Sequence, residues 1–177
     1  MPTAYKAPDG TSVGHIHLKV TDLDRALKFY RDLLGFELTT MYGDQAAFLS
    51  AGGYHHHIGL NTWHSKGGST APQHSAGLYH TAFLYPARKD LARIVKRLID
   101  QGYPISGASD HGVSEAIYLN DPDGNGVELY RDRPKEEWSY RKDGSIEMVT
   151  EPLDLEDLLN ELDDEETINE SKPSRFQ

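Results

Sequence analysis

Val13 to Val20 alternates, with Ile16, Leu18 and Val20 on one side and His15, His17 and Lys19 on the other. That is the period-two pattern of a strand with one buried face. Leu23, Ala26, Leu27, Tyr30 and Leu34 then recur at helical spacing, in a helix that Thr21 or Asp22 can cap and Gly35 can close. Short strands are predicted at 36–42, 45–50 and 54–61, with Gly43-Asp44 and Ala51-Gly52-Gly53 as turns. After a connection over 62–76 the succession returns. A strand at 78–85 leads into a helix near 88–101 marked by Leu91, Ile94, Val95, Leu98 and Ile99. Strands follow near 104–106, 114–120 and 126–131, the last two joined by the turn signal Asp121-Pro122-Asp123-Gly124-Asn125-Gly126.

The two copies are offset by 65 residues at His15 and His80 and by 67 at Gly35 and Gly102. The helix stripes bury against strands, so the expected class is α+β: paired βαβββ modules, about 13–61 and 78–131. They are expected to form one curved, cupped mixed sheet with helices on the outer face and histidines on the concave one. Residues 134–177 form a charged extension in which Leu155, Leu158, Leu159 and Leu162 predict a short amphipathic helix near 154–162. Residues 163–177 are expected to be disordered.

The net charge is −10, but residues 151–177 hold ten acids against Lys172 and Arg175. The acidity therefore belongs to the extension, and no basic face argues for nucleic acid. No apolar run approaches the ~20 residues of a membrane span, and residues 1–10 show no apolar signal core, so a cytoplasmic protein is the expectation. Cysteine is absent, which leaves histidine and carboxylate as metal ligands.

Two histidines at matching positions of duplicated strands suggest a metal site. Glu128, in Gly126-Val127-Glu128-Leu129-Tyr130, faces away from the apolar side of its strand. Aligning Gly53 with Gly124 sets His57 opposite Glu128, as His15 lies opposite His80. The expected ligands are His15, His80 and Glu128, with His57 either a fourth ligand or an acid–base group beside the metal. Two imidazoles and a carboxylate with open positions suit non-haem Fe(II); Mn(II), Zn(II) or Ni(II) are the alternatives. Alternation puts His55 and His57 on one strand face and His56 on the other. His17 and His56 are placed in the substrate-binding wall, Tyr118 and His111 beside the reacting groups, and His64 and His74 outside the site.

Gly14-His15-x-x-x-x-Val20-x-Asp22, Phe29-Tyr30, Leu34-Gly35-Phe36 and the hairpin Asp121–Leu129 resemble the vicinal oxygen chelate superfamily, which includes glyoxalase I, bleomycin-resistance proteins and extradiol dioxygenases. The resemblance covers residues 11–133. It is similar to the ring-cleaving, catechol-2,3-dioxygenase-type branch at His15, His80, Glu128 and Tyr118 and in the run Tyr54–Trp63. It implies an Fe(II)-dependent extradiol dioxygenase acting on a catechol-like diol with O2. By that resemblance His57, then His56, is the acid–base group and Tyr118 a hydrogen-bonding partner of substrate. The chain departs from the branch in having one paired unit, and in placing His111 closer to Tyr118 than the pattern does. The alternatives are a glyoxalase- or thiol-transferase-like metalloenzyme and a non-catalytic small-molecule binder. A homodimer is expected, with the leucine stripe 155–162 as candidate contact surface.

Overall fold

The computed structural model describes residues 4–72 and 74–162, so the tail expected to be disordered lies outside the described residues. The chain divides into two compact units, with the boundary between Thr70 and Ala71. Each holds one βαβββ module with its own mixed, open sheet, of four strands in the first and five in the second, where the sequence pattern suggested a single sheet.

In the first unit β1 (Ile16–Lys19) leads to α1 (Leu23–Leu27), then β2 (Glu37–Tyr42), β3 (Ala46–Ser50) and β4 (Ile58–Asn61). The sheet order is β1-β4-β3-β2, with β1 parallel to β4 and the other pairs antiparallel. Asp22 caps α1 by accepting from the Arg25 amide at 2.9 Å. The helix continues through Lys28–Leu33 in a wider π-helical turn, in which the Leu34 amide donates to the Phe29 carbonyl at 2.9 Å. Leu18, Leu27, Tyr30, Leu49, Ile58 and Leu60 are buried between helix and sheet.

Two expected strands are shorter than predicted. The first begins at Ile16, so His15 precedes it, and the fourth begins at Ile58, so His55, His56 and His57 lie in the connection before β4. Their assignment to alternate faces of a strand therefore does not hold.

In the second unit β5 (His80–Leu84) precedes α2 (Arg88–Asp100), β6 (Gly107–Asp110), β7 (Ser114–Asn120) and β8 (Gly126–Asp132). β6 starts after the predicted 104–106, because Pro104 has no amide to donate and pairing with β7 begins at Gly107↔Tyr118. Asp121 organises the turn before β8. Its Oδ1 accepts the amides of Asp123 and Asn125 at 2.9 and 2.8 Å, and Gly124 takes φ 82°.

The extension adds β9 (Glu151–Pro152), a fifth strand on β6, and α3 (Leu155–Asn160), packed on α2. Arg88 of α2 donates to Asp157 at 2.6 Å and Glu161 at 2.9 Å, and Leu158 is fully buried. The leucine stripe thus folds back on its own unit at Leu158. Arg88 also reaches Glu115, a buried carboxylate that accepts from Arg88, Arg131 and Arg133 at 2.9, 2.8 and 3.1 Å. Burial alone would raise the Glu115 carboxyl, but the hydrogen bonds from Arg131 and Arg88 and their charges outweigh it and hold the group below its usual value.

Candidate active site

In the second unit β5 and β8 run parallel with His80 opposite Gly126 and Ala82 opposite Glu128. His80 and Glu128 are thus two residues out of step on neighbouring strands, a spacing that puts both side chains on one face. Their Nε2 and Oε2 atoms lie 2.8 Å apart. Gly126 is what lets the strands approach there, since a β-carbon on it would run into the Tyr79 carbonyl and stand 3.0 Å from the His80 Cβ. The sequence pattern marked Gly126 only as part of a turn; its role in seating His80 depends on the pairing register.

Tyr118 of β7 is directly opposite Glu128, its hydroxyl 3.4 Å from Oε1. The other neighbour of that hydroxyl is His111 Nε2, at 2.7 Å. Burial, followed by the negative charge of Glu128, pushes the Tyr118 phenol up to about 12, so it remains a neutral hydroxyl at physiological pH. His80, Glu128, Tyr118 and His111 are therefore brought into one group within this unit.

In the first unit His15 stands against His56, ring centroids 4.5 Å apart. His56 also packs edge-on to Phe48 at 5.1 Å, and its Nδ1 is 2.7 Å from His55 Nδ1. His57 has different partners: its Nδ1 is 3.1 Å from Ser50 Oγ and 3.3 Å from the Ala51 amide, across the turn that joins β3 to β4. His17 lies over Gly59, near Phe48 and Trp63 at 5.7 and 5.6 Å. Burial and then the neighbouring His15 lower the His17 imidazole; burial, then His15 and the other histidines, lower His56. His64 and His74 are exposed.

The ladders also revise which residue of the first module corresponds to Glu128. Buried helix positions match at an offset of 65, Ala26 with Leu91, Leu27 with Ala92, Phe29 with Ile94 and Tyr30 with Val95. By that offset His15 corresponds to His80 and His17 to Ala82. His17 pairs with Gly59, and Ala82 pairs with Glu128, so Gly59 takes the Glu128 position and His57 the Gly126 position. The glycine-based alignment that set His57 opposite Glu128 ignored the different loop lengths before β4 and β8.

Among the described residues no three His, Asp or Glu side chains are gathered as a ready metal set. The His80–Glu128 pair nonetheless fits a cation. Donors bound cis at about 2.1 Å from one ion stand about 3 Å from each other.

A family model of the Glyoxalase/Bleomycin resistance protein/Dioxygenase superfamily matches residues 12–129. The chain belongs to that superfamily. It is 40% identical over 158 residues to a catechol-2,3-dioxygenase of Bacillus subtilis, across 89% of this chain and 54% of the relative, so it spans about half of that protein's length. It is 33% identical to biphenyl-2,3-diol 1,2-dioxygenase 3 of Rhodococcus globerulus, across 72% of this chain and 68% of the relative. A crystal structure of a glyoxalase/dioxygenase from Nostoc punctiforme shares the fold, with a TM-score of 0.60 and 20% identity over 74% of this chain and 98% of the other. No helix among the described residues is long and apolar enough to cross a membrane.

Proposed function

We propose that the protein is an Fe(II)-dependent extradiol dioxygenase that opens a catechol-like ring with O2, with His80 and Glu128 as iron ligands. The observation that carries this reading is the pairing of His80 Nε2 with Glu128 Oε2 at 2.8 Å beside the Tyr118 hydroxyl. An imidazole and a carboxylate on one ion leave coordination positions for substrate and O2 together. The relatives named as catechol and biphenyl-diol dioxygenases support the same chemistry.

Fe(II) held there would supply a Lewis acid that lowers the pKa of a diol and a redox-active centre for O2. The chain's own residues supply the rest. Glu128 and His80 fix one side of the site. Tyr118 hydrogen-bonds a substrate hydroxyl, and His111 steadies the tyrosine. His56, whose ring packs on His15, takes or returns the proton, while His57 fixes the turn that carries it. His17, with Phe48 and Trp63 beside it, forms an aromatic wall suited to a flat ring.

The test is metal analysis after anaerobic purification, joined to oxygen uptake with catechol and aryl-substituted catechols. Iron near one per chain and uptake matched to diol loss are the expected results. Nickel or zinc with no diol consumption would favour the glyoxalase- or thiol-transferase-like reading. A metal-free protein that binds aromatics would make it a binder.

A further inference from the structure

His111 is held by a segment beyond the stretch that matches the family. Residues 147–152 run back along the β6–β7 connection, where the Val149 amide donates to the His111 carbonyl at 3.1 Å. The Val149 carbonyl in turn lies 2.8 Å from His111 Nδ1, with Thr150 Oγ1 at 3.5 Å. Gly112 takes φ 74°, a left-handed backbone that favours glycine, and the Val149 Cγ2 atom lies at ordinary contact distance from it.

A carbonyl oxygen offers only lone pairs, so its bond to His111 requires the proton on Nδ1. In the neutral ring Nε2 then keeps its lone pair and faces the Tyr118 hydroxyl. That hydroxyl has one proton and two candidate acceptors. His111 Nε2 at 2.7 Å is within the normal range for a hydroxyl donor, whereas Glu128 Oε1 at 3.4 Å is outside it. The proton points to His111, and the Tyr118 oxygen turns its lone pairs toward the Glu128 side.

We propose that the backbone carbonyl of Val149, in the C-terminal extension, sets the Nδ1–H tautomer of His111 and so holds Tyr118 as a hydrogen-bond acceptor toward the substrate. Val149 is a positioning residue. The tautomer follows from the contacts in this unit alone; its use in turnover rests on the dioxygenase reading. The extension is thereby part of the site, and a substrate O–H, rather than a bare oxygen, is what Tyr118 receives.

The experiment uses the full chain with 15N-labelled histidine at pH 8, where two-bond proton–nitrogen correlations report which ring nitrogen carries hydrogen. His111 is identified by the signal lost in His111→Gln. The expected spectrum shows Nδ1 protonated and Nε2 bare; a protonated Nε2 overturns the proposal. Tyr118→Phe should keep the Nδ1–H form, and a switch to Nε2–H there would mean the tyrosine, not the carbonyl, sets the tautomer. Val149→Pro, which loses the amide that anchors the segment, should give mixed tautomers and a 10–100-fold fall in kcat with metal content and KM unchanged. Val149→Ala, which keeps the backbone, should keep the Nδ1–H tautomer. Wild-type tautomer and turnover in the proline variant overturn the proposal. If wild type consumes no diol at all, the dioxygenase reading fails while the tautomer measurements still decide this one.

Discussion

His80 Nε2 and Glu128 Oε2 stand 2.8 Å apart, on parallel strands β5 and β8 that Gly126 allows to approach. A histidine so placed donates a hydrogen bond to the carboxylate, and on the proposed reading the two would become neighbouring ligands of a bound cation. One divalent cation per chain is therefore expected. His80→Ala should reduce bound metal to background with the circular dichroism spectrum retained, because the His80 side chain is partly exposed and contributes little to the core. Full metal occupancy in that variant removes His80 from the ligand set.

Gly126→Ala tests the backbone under that pair. The added methyl meets the Tyr79 carbonyl and His80, so β5 must move. Overpacking of this kind costs about 1–3 kcal/mol. A displaced His80 should also weaken metal affinity about 10–100-fold, the scale for disturbed supporting groups. Urea unfolding and metal titration measure the two effects separately; wild-type values in both would show that the strands have room to spare.

His56 and His57 are separable by substitution. His57 hydrogen-bonds across the β3–β4 turn, so His57→Ala should lose about 1 kcal/mol of stability in urea. On the proposed dioxygenase reading, His56→Ala should leave stability nearly unchanged, keep iron, and lower ring cleavage by about 10²–10⁴-fold, the usual range for a general acid–base group. The reverse pattern, with turnover lost only in His57→Ala, assigns proton transfer to His57.

Glu115 makes stability acid-sensitive. Its folded-state carboxyl lies below the unfolded value, so its contribution is complete above the unfolded value and is lost as pH falls through the folded one. Glu115→Gln should cost about 3–5 kcal/mol at pH 7, since three arginines lose a buried charged partner. Its unfolding midpoint should also change less than wild type's between pH 7 and pH 3. Parallel pH curves for the two proteins would show that Glu115 is not the titrating group.

Leu158→Ala should destabilise the second unit by about 2–5 kcal/mol, as for other fully buried leucines. The same variant bears on assembly. A homodimer is the expected state, twofold closure being the commonest solution, but Leu158 is already used within the chain. The better candidate surface is β2, an edge strand whose six residues are all exposed, Leu38, Met41 and Tyr42 among them. Light scattering should give a dimer mass for wild type and Leu158→Ala and a monomer for Met41→Lys; a wild-type monomer ends the proposal.

The sequence by itself determined the repeat. Alternation over 114–120 and 126–131 and the helical stripe from Leu91 to Leu98 are local patterns, and the structure has β7, α2 and β8 at those places within a residue or so. That His80, Glu128 and Tyr118 share one face was legible because each stands on a strand long enough to have a defined face. His55-His56-His57 was not, because three identical polar residues have no period and a four-residue strand at 58–61 leaves them in a connection. Which histidine meets His15, why Gly59 rather than His57 corresponds to Glu128, and how Gly126 seats His80 are matters of strand register, set by pairing between distant segments. The hold of Val149 on His111 could only come from tertiary structure, since it runs through a backbone carbonyl, a group every residue carries and no sequence pattern distinguishes.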